Sequence, residues 1–201
     1  MRPSRRNTIA LAAQACLLSA CGLSERPFVE QRRWPLVVPR PSIQPARMSS
    51  KVIELRNLRA APGMDSDALQ TVQPDGSVVQ QFYERWAVEP ADGVTECLLL
   101  WLTQSGRFAA VLNQGSRAEA DVALEGTLTS LHADLGQRRA EAVIAIIAID
   151  LHPPGRRILL QASFTGSFAL QDVLPATQIR AQLAALADAF DQIERAIPQS
   201  S

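Results

Sequence analysis

The chain has 201 residues, with 20 basic and 20 acidic side chains and a formal net charge of zero. Once a predicted leader at residues 1–20 is set aside, the remaining length is typical of one domain with a sizeable core. The basic residues form no concentrated patch, so a nucleic-acid partner is not expected.

Residues 1–20 predict a lipoprotein signal peptide. Three arginines precede an uncharged, mostly apolar stretch that begins at Ile9. This stretch of about a dozen residues is shorter than the roughly 20 that a membrane-spanning helix needs, and it has the charge and length of a secretory signal. An apolar residue, two small residues and a cysteine follow in the order that lipoprotein signal peptidase recognises, namely Leu18, Ser19, Ala20 and Cys21. We therefore expect cleavage before Cys21.

A lipid on Cys21 would hold the protein at the periplasmic side of a bacterial membrane. Each buried methylene contributes about 0.8 kcal/mol, so several acyl chains anchor a protein firmly where one chain does not. Gly22 follows the cysteine, and the absence of Asp at this position favours the outer membrane. The alternative is an ordinary signal peptide in which Cys21 is incidental.

Cysteine usage agrees with export. Cys16 leaves with the leader and Cys21 is acylated, so Cys97 alone remains and no intramolecular disulfide is expected. Cys97 lies on the apolar stripe of a predicted helix, and we interpret it as a small core residue.

Residues 21–50 predict a proline-rich tether between the lipid and the folded domain. Five prolines occur between Pro27 and Pro45, and such segments favour extended, semi-rigid conformations. Residues 34–38 interrupt this tether with an apolar stretch that predicts a short edge strand.

Residues 51–198 predict an α+β domain. Period-two alternation predicts strands, and apolar residues at three- and four-residue spacing predict amphipathic helices. The predicted strands are 51–59, 68–72, 78–86, 108–112, 120–131, 141–151 and 157–170, and the predicted helices are 91–105 and 177–197. Because the later loops are short, we expect antiparallel pairing. The predicted fold is an antiparallel β-sheet with two amphipathic helices packed on one face.

The chain contains no recognisable catalytic or metal-binding motif. Its two histidines, His132 and His152, lie near Asp134 and Asp150, but neither has metal-ligand spacing, and both are interpreted as solvated strand-end residues. There is no glycine-rich phosphate loop and no nucleophile elbow. We therefore expect no enzymatic activity, no cofactor and no metal.

The order of several diffuse patterns resembles the ABC-type transport auxiliary lipoproteins, the paraquat-inducible protein C-like group. The resemblance covers most of the chain after Cys21. Its most specific part is the run from Tyr83 to Pro90, in which Arg85 and Trp86 precede a helix. The other parts are the strand at Trp34 to Val38, the segment Leu58 to Gly63, the turn Ser105 to Phe108, and a strand carrying Phe164 before an alanine-rich helix.

This resemblance implies a non-enzymatic accessory subunit of a system that moves lipids or other hydrophobic molecules across the envelope. The implied partners are an MCE-domain protein and an ABC permease with its ATPase. The resemblance also implies a possible homo-oligomeric ring of subunits at the outer membrane. Arg85 and Trp86 are the candidate partner interface, although core packing of Trp86 and solvation of Arg85 are the alternatives.

Two other functions remain open on the sequence alone. A stand-alone binder of lipids or hydrophobic ligands would need an interior cavity, and the large residues on the core face of the sheet argue against one. An envelope hydrolase would need a cleft with convergent polar groups.

Overall fold

The computed structural model describes residues 30–45, 51–152 and 157–198. The predicted signal-peptide residues Leu18, Ser19 and Ala20, and the predicted acylation site Cys21, lie outside these described residues. Within them, nine strands and two helices are found. Strands β1 to β9 span Arg32–Trp34, Val52–Leu55, Arg59–Ala60, Ala68–Val72, Val78–Trp86, Ala110–Asn113, Val122–Asp134, Arg139–Asp150 and Arg157–Ala169, and helices α1 and α2 span Pro90–Gln104 and Pro175–Ala196.

The three long strands β7, β8 and β9 form an antiparallel meander, as the short loops predict. Alternate residues of β8, among them Ile144 and Ile146, are buried on the helix side of the sheet. The intervening residues on its other side are only half-buried. A bulge shifts the register of β9 near its start, so that Ile158 pairs with Ile149 while Leu160 pairs with Ala148. Ile158 and Leu160 therefore lie on opposite faces of the sheet, whereas simple alternation places them on the same face.

The α+β class is confirmed, but the sheet is mixed rather than wholly antiparallel. The second edge of β7 pairs in parallel with β2, then β3, then β4, and β2 also pairs in parallel with β6. Strand β4 forms an antiparallel hairpin with β5, and β1 pairs in parallel with β5. Short loops impose antiparallel pairing only on strands that are joined by hairpins. Helix α1 separates β5 from β6 and allows the chain to return in the parallel sense.

The two helices pack side by side on the buried face. Apolar residues of both helices pack against the inward residues of β7 and β8 and form the core with them. The helix residues include Leu98 and Leu102 of α1 and Leu186 and Phe190 of α2. The Trp101 and Phe190 rings meet edge-on with centroids 5.8 Å apart. Helix α2 approaches β9 closely at Gly166, where a Cβ would overlap the Ala185 carbonyl and lie 2.6 Å from the Ala189 nitrogen. Only glycine fits this close helix–strand contact.

The packed unit begins at Gln31. The edge strand predicted at residues 34–38 forms instead at Arg32–Trp34, because Pro35 has no N–H with which to continue the ladder. Beyond it, Leu36 and Val38 are buried in the core, and the Gln44 amide donates to the Gln104 carbonyl at 3.1 Å. The described part of the proline-rich segment thus lies against the domain. No helix in the described residues is long and apolar enough to cross a membrane.

Candidate functional site

The candidate interface residues Arg85 and Trp86 lie at the end of β5, beside β1 and the segment before β4. We call this region the β1–β5 edge and define it by Arg32, Trp34, Asp67, Glu84 and Arg85. Its three parallel residue pairs join Arg32 to Glu84, Arg33 to Arg85 and Trp34 to Trp86. Charged and aromatic side chains are therefore paired across adjacent strands here, whereas the inward-facing pairs of the meander, such as Leu128 with Ile144, are apolar.

Glu84 is the buried centre of the β1–β5 edge. Its Oε2 accepts a hydrogen bond of 2.6 Å from the Trp34 indole nitrogen, and its Oε1 pairs with the Arg32 guanidinium. The Arg32 guanidinium also lies 5.8 Å from the centroid of the Trp34 ring. Because a buried carboxylate needs partners, these contacts fix β1 onto β5 and hold Trp34 in place.

Arg85 forms the second charge pair of the edge, with Asp67. The hydrogen bond from Arg85 lowers the pKa of the Asp67 carboxyl below its usual range, with the Arg33 guanidinium 3.8 Å away as a weaker contributor. The Asp67 carbonyl accepts a hydrogen bond of 2.7 Å from the Trp86 amide. About a quarter of the Arg85 side chain remains exposed. Arg85 is therefore available at the surface, although it is already paired.

Trp86 is only 1% exposed and belongs to the hydrophobic core. Arg85, its neighbour in the chain, is partly exposed to solvent, whereas Trp86 packs in the core. The two candidate residues are adjacent on β5, but Arg85 lies at the surface and Trp86 lies in the core.

A wide irregularity in β5 was not predicted from the sequence. Ala68 pairs with Arg85 while Gln70 pairs with Gln80, so four residues of β5 lie opposite one residue of β4. Two of the four, Phe82 and Tyr83, are exposed and meet edge-on with ring centroids 5.0 Å apart. Adjacent residues of a regular strand point to opposite faces, so this ring contact is a product of the bulge.

A second polar cluster, also not predicted, joins the N-terminal segment to both helices. The Arg40 guanidinium donates to Glu194 at 2.5 and 3.3 Å and to the Trp101 carbonyl at 3.2 Å. The Trp101 indole donates to Glu194 at 2.9 Å. The Arg40 and Glu194 side chains are only 11% and 7% exposed. Glu194 therefore lies in the core layer, which helical spacing alone does not reveal because its partner is 154 positions away along the chain.

A protein-family model for ABC-type transport auxiliary lipoprotein components matches residues 35–197. The chain belongs to this family. The match begins at Pro35, within the segment that the structure packs against the domain, and it ends with α2. The resemblance inferred from the sequence is thereby confirmed. No relative was found among curated protein sequences.

Solved structures support the same fold for this transport auxiliary lipoprotein. A Xanthomonas campestris protein of the DUF330 family superimposes with a TM-score of 0.60 at 21% sequence identity, covering 82% of this chain and 90% of that one. An uncharacterised protein superimposes with a TM-score of 0.59 at 14% identity, covering 78% of this chain and 98% of that one. At these identities the likeness concerns the fold alone.

The two histidines of the auxiliary lipoprotein have different surroundings. His132 is half-buried within β7, its Nδ1 lies 2.6 Å from the Ser130 hydroxyl, and burial lowers its pKa. His152 is exposed beyond β8 and contacts Asp150 and Asp121 at 2.9 and 3.0 Å; the Asp150 hydrogen bond raises its pKa. Among the described residues, no group of three or more His, Cys, Asp or Glu side chains is arranged to hold a metal.

The clefts of the auxiliary lipoprotein bear on the hydrophobic-ligand alternative. A cleft of about 540 Å³ opens on the sheet side opposite the helices and is lined by Met64, Gln70, Val72, Val78, Gln80 and His132 among others. Its lining mixes amide and imidazole groups with aliphatic ones.

Cys97 is buried, and burial raises the pKa of its thiol, which fits the predicted core role.

Proposed function

We propose that this protein is a non-enzymatic, lipid-anchored accessory subunit of an MCE/ABC-type transport system that moves lipids or other hydrophobic molecules across the envelope. The observation that carries this proposal is the match of the auxiliary lipoprotein family to residues 35–197. Acylation of Cys21 would hold the subunit on the periplasmic side of the membrane, with the outer membrane favoured by Gly22. Its partners would be the MCE-domain protein and, through it, the ABC permease and ATPase.

In this proposal the β1–β5 edge is the surface that receives the MCE-domain protein. Arg85 is partly exposed and stands next to Arg33, whose side chain is mostly exposed. Arginine is enriched at protein interfaces because its planar group donates several hydrogen bonds. Trp86 would contribute from the core by fixing the position of β5, rather than by touching the partner. A homo-oligomeric ring would repeat this surface around an axis.

A binder of lipids or hydrophobic ligands is the alternative function. Ligand sites for apolar molecules are concave and mostly apolar. The face of the sheet beneath the helices is filled by large buried side chains such as Leu124, Leu128 and Ile144, and the 540 Å³ cleft carries polar groups on much of its wall. These observations favour an adaptor over a carrier.

Affinity purification from detergent-solubilised membranes tests the proposal. The tagged, full-length protein should recover an MCE-domain protein together with permease and ATPase subunits, as identified by mass spectrometry. Recovery of lipid without any transport component would favour the alternative. Recovery of neither, from membranes that contain the protein, would contradict the adaptor.

Matched arginine variants test the surface. Arg85→Gln removes an edge charge, and Arg117→Gln removes a charge from an exposed loop outside this edge. We expect Arg85→Gln to reduce recovery of the MCE-domain protein while Arg117→Gln leaves it unchanged. Both variants should show the wild-type circular dichroism spectrum. Equal recovery with both variants would contradict the assignment of the edge.

A further inference from the structure

Five exposed apolar side chains occupy one end of the sheet. Phe82 and Tyr83 project from the β5 bulge, Val79 precedes them on β5, and Val173 and Leu174 precede α2. We call these five residues the apolar rim. Phe82 is 65% exposed, an unusual environment for a phenylalanine beside a second exposed aromatic ring. Neighbouring exposed apolar side chains of this kind mark contact surfaces.

A hydrogen-bonded cluster links the two halves of the apolar rim. The side-chain amide of Gln178, on α2, donates to the Val173 carbonyl at 2.7 Å, and its oxygen accepts from the Thr71 hydroxyl at 3.1 Å. Thr71 lies opposite Val79 in the β4–β5 hairpin. The Gln81 amide, next to Phe82, donates to the same Thr71 hydroxyl at 2.8 Å. The start of α2 and the bulged strand are therefore held together, and the rim is one surface.

Gln31, where the packed unit begins, lies beside this rim. Strand β1 runs parallel to β5, so Gln31, directly before Arg32, lies on the side of the β4–β5 hairpin. The Gln31 side-chain amide donates to the Phe82 carbonyl at 3.2 Å. Cys21 lies only ten residues before Gln31. Ten residues span at most about 35 Å even when fully extended, so a lipid on Cys21 would keep Gln31 within that distance of the bilayer.

We infer that the apolar rim inserts into the headgroup region of the bilayer that carries the Cys21 lipid. This inference rests on the proposed acylation of Cys21. Aromatic side chains favour the membrane–water interface, where an apolar ring and a polar group such as the Tyr83 hydroxyl are both accommodated. The acyl chains determine where the protein is attached, whereas the rim determines which end faces the lipid. The β1–β5 edge lies next to the rim, farther along β5 from the β4–β5 hairpin, where Arg85 follows Tyr83 by two residues.

Fluorescent labels at the two ends of the sheet test this orientation. Val173→Cys places a label in the rim, and Ile158→Cys places one on an exposed aliphatic position at the opposite end. The ends of the 13-residue strand β7 lie about 40 Å apart. Each full-length acylated variant is labelled with an environment-sensitive dye and reconstituted into phosphatidylethanolamine–phosphatidylglycerol vesicles. The unsubstituted protein, treated with the same dye, gives the background from buried Cys97.

Quenching by lipids that carry a spin label near the headgroup is the readout. We expect several-fold stronger quenching and a blue-shifted emission for the label at Val173, and neither effect for the label at Ile158. In the Val173→Cys background, Phe82→Ser with Tyr83→Ser should reduce the quenching toward the Ile158 level. These two exposed residues can be replaced without removing a core side chain.

Flotation of the vesicles separates failure of this inference from failure of the proposed function. Protein that does not float with vesicles would overturn the lipid anchor and the rim orientation with it. Protein that floats but shows equal, weak quenching at both positions would overturn the rim orientation alone. Cross-linking between Val173 positions of two copies, without lipid quenching, would also overturn it and assign the rim to a subunit contact.

Discussion

The β7–β9 meander and the β1–β5 edge belong to one sheet but are built differently. The meander pairs long antiparallel strands and buries apolar side chains beneath α2. The edge has three parallel residue pairs and a buried Glu84 held by Trp34 and Arg32, and it lies beside the exposed aromatic bulge of β5. The meander therefore supplies the hydrophobic core, while the edge places charged and aromatic groups at the surface.

Substitutions of Trp86 and Phe82 compare a core residue with an exposed residue of the same strand, β5. Trp86→Ala removes a fully buried indole and should lower the free energy of unfolding by about 3–5 kcal/mol. Phe82→Ala removes an exposed ring and should change it by about 0.5 kcal/mol or less. Urea unfolding followed by circular dichroism measures both values. A similar loss of unfolding free energy in both variants would contradict the proposed difference between the core and the exposed surface of β5.

Glu194 tests whether the segment before residue 46 is a structural part of the domain. Glu194→Ala leaves Arg40 buried without its carboxylate and should cost about 3–5 kcal/mol of stability. Asp191→Ala breaks the exposed pair with Arg195 on the same helix and should cost about 0.5 kcal/mol. Chemical denaturation of the two variants gives the comparison. If Glu194→Ala were as mild as the control, the Arg40 clamp would not contribute to stability.

Gly166 tests the close packing of α2 on the meander. Gly166→Ala introduces a methyl group where the Ala185 carbonyl and the Ala189 amide already lie, and it should cost about 1–3 kcal/mol. Thr165→Ala, at an exposed position of the same strand, is the matched control. Thermal unfolding of both variants measures the difference. An unchanged melting temperature for Gly166→Ala would mean that the helix can move away from the sheet without loss.

The two histidines predict pH effects of opposite sign. Burial lowers the pKa of His132, so its neutral form is favoured in the folded state and stability falls as the pH drops below about 6.5. The Asp150 hydrogen bond raises the pKa of His152, so its contribution is complete below about 6.5 and is lost as the pH rises through the raised value. Melting temperatures between pH 5 and pH 8 should fall less on acidification in His132→Asn and fall more in His152→Asn. The reverse pattern would contradict these environments.

The sequence predicts the meander well because its information is local. Alternation along β8 and β9 and short loops are sufficient for antiparallel pairing, and helical spacing identifies most of the buried face of α2. The parallel pairings of β7 with β2, β3 and β4 depend on contacts between distant segments, which neither pattern encodes.

The candidate site was less predictable, for a related reason. The pattern before α1 identified Arg85 and Trp86, but it could not distinguish a paired surface charge from a core indole. The bulge that exposes Phe82 and Tyr83 arises from the unequal lengths of β4 and β5 between their paired residues. The burial of Arg40 and Glu194 follows from their pairing across the fold, and a proline-rich segment gives no local sign of it.

Photo-cross-linking in native membranes tests most directly whether the β1–β5 edge receives the transport partner. A photoreactive amino acid replaces Arg33, which pairs with Arg85 of this edge, and in a matched variant it replaces the exposed Ile158 at the far end of the meander. We expect a cross-link from position 33 to an MCE-domain protein and none from position 158. Cross-links to that protein from position 158 alone, or to no transport component from position 33, would contradict it.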